Sequence, residues 1–323
     1  MNGAVLAGLI DLKKSDLLRR KVEDYAIAKG EKASSLVEKM GGAGGFTAKN
    51  LALAADALGG MLGDGECTRI LSFPADVVST GLRGVLAQAV KHFDCIITTC
   101  GTLDHDLARA WGKGYFHGAF DMDDRSLHQI GVNRLGNVLV PNESYGEVLE
   151  NKMQPILRDL AAQKADWGGR ELIAEFGKKV SDENSILHQA CKHNVPVYVP
   201  GITDGAFGTN LMMFAQDKKF SLNLLRDEKE LSDIIYDSKR LGALMMGGGI
   251  SKHHVIWWSQ FKGGLDYAVY ITTATQYDGS LSGARLEEAI SWGKVKERAR
   301  MATVDGDVTV ILPLLLAAVY ENL

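Results

Sequence analysis

The chain has 323 residues, 46% of them hydrophobic and 24% charged, with a formal net charge of −4. These values exclude a disordered polyelectrolyte, leave ample apolar side chain for a large core, and give no general attraction to nucleic acid or to an anionic membrane surface. The four cysteines, Cys67, Cys95, Cys100 and Cys191, form no CxxC pair and read as reduced thiols of a cytoplasmic protein, and no apolar run reaches membrane-spanning length.

The first twenty residues, MNGAVLAGLIDLKKSDLLRR, run from apolar to basic, the reverse of a secretory signal. Residues 1–40 carry an amphipathic pattern that predicts mostly helix. Gly41 to Phe46, GGAGGF, follow no strand and lack the dinucleotide spacing, so they read as a flexible connection. Residues 47–63 have helical apolar spacing, and 1–65 form a predicted helical N-terminal extension. From residue 67 a pattern repeats in which a short apolar run is followed by Gly, Ser, Thr or Asp and then by a helical stretch. TRILSF leads into PADVVSTGLRGVLAQAVKH, DCIITT into CGTLD and HDLARAWG, and VPVYVP into GITDGAFG and TNLMMFAQD. ALMMGGG then leads into ISKHHVIWWSQF, DYAVYITTA into TQYDGSLSG and ARLEEAISWG, and VTVIL into PLLLAAVYENL. Apolar strands alternating with helices predict an α/β fold, a Rossmann-like doubly wound and mainly parallel sheet. Residues 112–187 break the pattern and read as a mainly helical insertion, with the whole chain a single domain.

Right-handed crossovers place every strand-to-helix loop on one rim, where open α/β sheets bind ligands. All the unusual residues are expected there. Gly247, Gly248 and Gly249 follow a buried strand and would let backbone N–H groups approach a phosphate or a planar ring, or would simply make a tight turn. Lys252, His253 and His254 come next. Asp104 either caps a helix or joins Asp204 and Asp278 in an electronegative pocket suited to a cationic ligand. His188 and Cys191 are candidate metal ligands, but the spacing is too loose to predict a metal site. The run GARLEEAISWGK (Gly283 to Lys294) ends a helical pattern on Trp-Gly-Lys. That lysine is either a solvated charge at a helix C-terminus or an amine tuned by its neighbours.

The segments GGGISKHH, ITDGAFG and DYAVYITTATQYDGSLSGARLEEAISWGK resemble the deoxyhypusine synthase family, in order and spacing, from about Phe73 to Pro313. The resemblance implies an NAD-dependent transfer of the aminobutyl group of spermidine to one lysine of translation initiation factor 5A, by a homotetramer with sites at subunit interfaces. It implies Lys294 as the nucleophile that carries an imine and His253 as the base. It implies Asp104, His105, Gly279, Ser280, Ser282, Arg285, Glu288 and Trp292 at the amine substrate, Trp292 packing on its methylenes. Burial beside Trp292 would keep Lys294 neutral part of the time. Cofactor contacts fall at Ala75, Asp76, Ser79, Thr99, Cys100, Gly101, Asp204, Gly248, Thr273, Ala274, Asp278, Asp307 and Val308.

Some positions depart from the eukaryotic family pattern. Ala75-Asp76 replaces a Ser-Asn, Thr209 and Leu281 stand where acids hold the polyamine, and Asp104-His105 replaces an acidic pair. Each lost charge-assisted hydrogen bond costs about 1.5–3 kcal/mol in a buried site. The departures point to an archaeal-type member and open two alternatives for substrate choice: agmatine or another amine as donor, or putrescine as a small acceptor giving homospermidine. A non-catalytic NAD-binding regulatory protein is a third reading, against which the retained EAISWGK run argues.

Overall fold

The computed structural model describes residues 18–323. Residues 18–32 form neither helix nor strand and expose Leu18, Val22 and Ile27. Among the described residues the helix expected over 1–40 begins with α1 (Ala33–Ala43); residues 1–17 lie outside the described range. Gly41 and Gly42 belong to α1; the chain breaks at Gly44, whose φ of 74° ends the helix in the left-handed region.

Next come α2 (Phe46–Gly63), β1 (Cys67–Ser72), α3 (Leu82–Ala89), β2 (Cys95–Ile97) and α4 (Cys100–Trp111). The middle of the chain holds β3 (Phe116–His117), α5 (Asp124–Gln129), β4 (Val132–Leu135), β5 (Val138–Pro141), α6 (Gly146–Gln163), β6 (Asp166–Trp167), α7 (Gly169–Gly177) and α8 (Ile186–Lys192). Then follow β7 (Val197–Tyr198), α9 (Ala206–Asp217), β8 (Ser221–Leu222), α10 (Leu224–Asp237), β9 (Arg240–Met246) and α11 (Gly249–Ser259). The chain ends with β10 (Leu265–Thr272), α12 (Leu286–Ser291), β11 (Val295–Asp305) and α13 (Val308–Tyr320).

Six strands form one parallel sheet in the order β11-β10-β9-β1-β2-β7. Counted along the chain, this is the 3-2-1-4-5-6 order of a doubly wound Rossmann-like fold, as the alternating pattern predicts. The strand order reverses between β1 and β9, so their carboxyl ends open a crevice. Successive side chains of a strand point to opposite faces. Leu71, Leu244, Met246, Val269 and Ile271 pack toward α2, α4 and α13 on one face. Ile70, Ala243, Met245, Ala268 and Tyr270 pack toward α10, α11 and α12 on the other. Each fully buried Leu or Ile contributes about 1.5–3 kcal/mol relative to exposure.

The structure differs from the sequence pattern at two elements. VTVIL is the first part of α13, not a strand: Asp307 caps it by accepting the Thr309 N–H at 2.8 Å, and Ile311, Leu312, Leu315 and Leu316 are buried along it. The strand before it is β11, whose opening VKERAR reads as polar because it lies at the sheet edge. Between residues 112 and 187 the structure has helices, but β3, β5 and β4 also form a small antiparallel sheet.

Candidate active site

At the switch point the loops after β1 and β9 face each other. A Cβ on Gly247 would lie 3.1 Å from Pro74 Cγ, and Gly247 and Gly249 have φ of 60° and 69°, which glycine adopts without strain. Gly248 lies against the loop after β10, where a Cβ would stand 2.0 Å from Ser282 Oγ. Gly101, at the start of α4, approaches Ala75 so closely that a Cβ would stand 2.7 Å from the Ala75 Cβ. At these three glycines the neighbouring loops pack directly on one another. At the ends of β1 and β2, Ser72 Oγ and Thr99 Oγ1 are buried without a hydrogen-bond partner among the described residues.

The other rim residues divide into free and committed groups. Asp76 and Asp204 are exposed, whereas the Ser79 hydroxyl donates to the Asp76 carbonyl at 2.7 Å. Burial pushes the Cys100 thiol up to about 12, so it stays uncharged. Asp278 accepts the N–H and hydroxyl of Ser280, each at 2.8 Å, across Gly279 (φ 70°); these bonds hold its carboxyl below the usual range. Thr273 and Ala274 directly follow β10, and Ala274 N–H donates to Thr272 Oγ1 at 3.1 Å. Asp307 and Val308 stand at the end of β11, two strands from the glycine loop, with the Asp307 carboxylate capping α13.

Asp104 is not open to a ligand within this chain. It is 1% exposed and accepts the N–H groups of Ala206 (3.0 Å) and Phe207 (2.7 Å) and the Tyr145 hydroxyl (3.0 Å). It therefore caps α9 from a neighbouring helix, and burial raises its pKa above the usual range. The electronegative pocket expected from Asp104, Asp204 and Asp278 accordingly loses its buried member. Asp106 does the same for α8, accepting the Ile186 and Leu187 N–H groups and the Ser185 hydroxyl while paired with buried Arg83 at 2.6 Å. His105 Nδ1 lies 2.8 Å from the Tyr115 hydroxyl, and burial, then Arg109, lowers its pKa to about 4. Thr209 turns its hydroxyl onto the Gly205 carbonyl of its own helix. His188 Nδ1 contacts the Val180 carbonyl at 2.7 Å.

The GARLEEAISWGK run has a local explanation. Leu286 and Ala289 bury one face of α12, while Glu287 and Glu288 lie outward in its first turn, where carboxylates favour the helix dipole. Gly293 adopts φ 67° and closes the helix, with Gly293 N–H on the Ile290 carbonyl (2.9 Å) and Lys294 N–H on the Ala289 carbonyl (3.0 Å). These are the two bonds of a Schellman ending. The Lys294 carbonyl then accepts from Leu265 N–H (3.1 Å) and Ser259 Oγ (2.9 Å). The backbone of Lys294 is fixed and its side chain points into a groove.

Lys294 does not share the rim of the glycine loop. It precedes β11, at the amino ends of the parallel strands. The link is α11, which starts at Gly249 beside the crevice and carries His253 four residues, about 6 Å, further on. Between α11 and α12 lies a cavity of about 170 Å³, lined by Lys252, Ile256, Leu281, Arg285, Glu288 and Lys294 among others. Lys294 Nζ stands 5.1 Å from the Trp292 ring centre and 6.0 Å from that of Trp257. His253 stacks on Trp257, and partial burial, then the charge of Lys294, lowers its pKa, so the imidazole is neutral at pH 7. Trp292 is 66% exposed, so the enclosure expected for Lys294 is not supplied by this chain alone. Arg285 pairs with Asp305 at 2.5 Å.

One residue lining this cavity and one beside Lys294 are absent from the sequence-derived set of binding residues. Lys252 is 2% exposed; its ammonium donates to the carbonyls of Leu281 (2.9 Å) and Ala284 (2.7 Å) and lies 3.6 Å from the Tyr270 ring centre. Burial lowers its pKa to about 7, against the pull of Glu288. Tyr270 and Thr272 hydroxyls donate to the Ser282 carbonyl at 2.6 and 3.0 Å, so carbonyls 281, 282 and 284 are all tied to side chains. Trp257 is the other, one helical turn beyond His253; that i,i+4 spacing was the signal that could have found it.

A family model for deoxyhypusine synthase matches residues 35–319. A Picrophilus torridus protein named probable deoxyhypusine synthase is 52% identical over 309 residues, covering 95% of this chain and 99% of that protein. An Ignicoccus hospitalis protein of the same name is 51% identical over 318 residues, covering 96% and 99%. A solved Entamoeba histolytica structure named for deoxyhypusine synthase has a TM-score of 0.66 at 20% identity, covering 93% of this chain and 97% of that one, which shows the shared fold. AgrE in complex with ornithine and NAD+ shares the fold at a TM-score of 0.51 and 10% identity, covering 85% of this chain and 34% of that one.

Proposed function

The chain belongs to the deoxyhypusine synthase family, and we propose that it transfers the aminobutyl group of spermidine, with NAD, through an imine on Lys294 to a lysine of translation initiation factor 5A. The observation that carries this reading is the placement of Lys294: a fixed backbone, an amine facing two indoles, His253 stacked on one of those indoles, and Glu288 lining the same cavity. The switch point suits a dinucleotide, because glycine backbone stands there at the carboxyl ends of β1 and β9, and Thr99 Oγ1 and Ser72 Oγ are buried with no hydrogen-bond partner among the described residues. Asp76, Asp204 and Gly248 would hold it, and AgrE, which shares the fold, binds NAD+. When bound, the dinucleotide supplies the acceptor for a hydride from the carbon beside the secondary amine and returns it at the end.

The chain's own residues do the rest. His253, neutral at pH 7, takes the proton that the secondary amine gives up. The Lys294 amine adds to the resulting imine carbon, diaminopropane leaves, and the aminobutyl group stays on Nζ as an imine until the acceptor lysine displaces it. Glu288 faces the cationic chain at the groove mouth, and Trp292 packs on its methylenes. Assembly as a cytoplasmic homotetramer would cover the exposed indoles. Leu281 lines the cavity with an apolar side chain, which favours testing agmatine as donor and putrescine as acceptor beside spermidine and the protein lysine.

The test is mass spectrometry of the protein after incubation with NAD and each amine, followed by borohydride. An aminobutyl mass on the Lys294 peptide, lost in Lys294→Ala, is expected with spermidine. An adduct with agmatine alone moves the donor. No adduct with any amine overturns the enzymatic reading in favour of a non-catalytic NAD-binding protein.

A further inference from the structure

We propose that Trp257 and Trp292 form an aromatic clamp around Lys294 that selects donors whose transferred chain ends in an ammonium, with Trp257 as a specificity-determining residue. The proposal rests on the reaction proposed above. Trp292 is placed by the helix ending that places Lys294 itself, whereas Trp257 comes from a separate element, α11, so the two indoles reach the amine from two different elements.

Trp257 is held in place along its own helix. His253, one turn before, stacks on it at 5.9 Å with planes 23° apart, and Phe261, one turn after, meets it edge-on at 5.9 Å and 83°. Yet Trp257 remains 44% exposed and Phe261 45%, an aromatic surface that the hydrophobic core does not use. In the free protein the clamp is occupied by Lys294 Nζ, 6.0 Å from one indole and 5.1 Å from the other. Forming the imine uses up that amine. A transferred chain attached at Nζ starts within about 6 Å of both ring centres, and its terminal ammonium can take over the contact with a ring face. The adjoining cavity is apolar at Ile256 and Leu281 and cationic at Lys252 and Arg285, and Glu288 supplies the one carboxylate among its lining residues, so ring faces are left to carry much of the recognition of positive charge.

The test compares wild type with Trp257→Phe, Trp257→Leu and Trp257→Ala, using spermidine and a spermidine analogue whose four-carbon arm ends in methyl instead of an amine. Initial rates of diaminopropane release give kcat and KM for each donor, and cofactor affinity is measured by titration. Trp257→Ala should raise KM for spermidine about 3- to 30-fold, the range that a cation–π contact spans between exposed and desolvated settings. It should change KM for the methyl-ended analogue less than twofold and leave NAD affinity unchanged. Trp257→Phe should keep KM for spermidine within about threefold of wild type, and Trp257→Leu, of similar apolar bulk but without a ring face, should behave as the alanine variant. Rescue by leucine, or equal losses on both donors, overturns the clamp. If wild type forms no adduct with any amine, the underlying reaction fails first and the clamp falls with it; a normal wild-type adduct with unchanged variants sinks the clamp alone.

Discussion

Replacing Lys252 by methionine tests whether the groove contains a buried charge. The wild-type ammonium is 2% exposed, donates to two carbonyls and lies on the Tyr270 ring. Burial pushes its pKa from 10.5 down to about 7; Glu288 opposes this and Arg285 adds to it. Between about pH 7 and 10.5 the unfolded chain binds a proton that the folded chain has lost, so this residue makes stability rise with pH across that window. Below pH 7 the charged form is buried and the cost is complete. The shift, 10.5 minus 7, is 3.5 units and corresponds to a ceiling of about 5 kcal/mol at about 1.36 kcal/mol per unit. The two carbonyls and the ring face favour the ammonium, so a smaller rise, above about 1 kcal/mol, is the expected signal. The Tyr270 phenol is raised above its usual value and stays neutral through most of the window. Methionine has a similar length and no proton, so its stability curve should lack this rise. At pH 6 it should differ less from wild type, because two carbonyls left without partners, at about 1–3 kcal/mol each, offset the relief of a buried charge. The assay is urea unfolding of both proteins from pH 6 to 10 at one fixed protein concentration. Parallel curves between pH 7 and 10 would refute a deprotonating Lys252.

Three other substitutions probe the scaffold. Gly293→Ala forces a side chain into φ 67°, which should cost about 1–2 kcal/mol, and should lower adduct formation on Lys294 more than it lowers the urea midpoint. Asp106→Ala leaves the Arg83 guanidinium, 4% exposed, with Asp182 as its remaining carboxylate and uncaps α8; a loss of about 1–3 kcal/mol by urea unfolding is expected, with a smaller loss for Asp106→Asn. Gly248→Ala sets a Cβ 2.0 Å from Ser282 Oγ, and the Ser282 carbonyl is tied to Tyr270 and Thr272, so neither side yields easily. NAD affinity, read by fluorescence titration, should fall at least about tenfold, as about 1.4 kcal/mol of displacement suffices; unchanged affinity would remove the glycine loop from the cofactor crevice.

Much of the sheet was legible in the chain. ILSF, CIIT, ALMM and YAVYIT are continuous apolar runs because both sheet faces are covered, and each is followed by small or polar residues where a helix starts. β11 was not legible, since an edge strand with a half-open face tolerates Lys, Glu and Arg, and its eleven residues share no apolar period. VTVIL misled for the opposite reason: its β-branched residues favour strand locally, but the Asp307 cap and burial of the following leucines decide for helix. The small antiparallel sheet at β3-β5-β4 has strands of two to four residues, too short to register as alternation.

By itself the sequence determined the alternating α/β pattern, the glycine loop at a strand end, and the helix ending that fixes Lys294, because these depend on neighbours along the chain. Only the tertiary structure decided which acids remain open, since Asp104 and Asp106 are consumed by the N-termini of helices roughly 80 to 100 residues away in sequence. It also decided that Lys294 lies at the amino ends of the strands and meets the glycine loop's helix through Trp257, a contact between elements that no local spacing encodes. Hydrogen bonds within a turn are written in adjacent residues, whereas capping across helices and ring–ammonium contacts depend on how the sheet stacks its helices, a property of the whole packed chain.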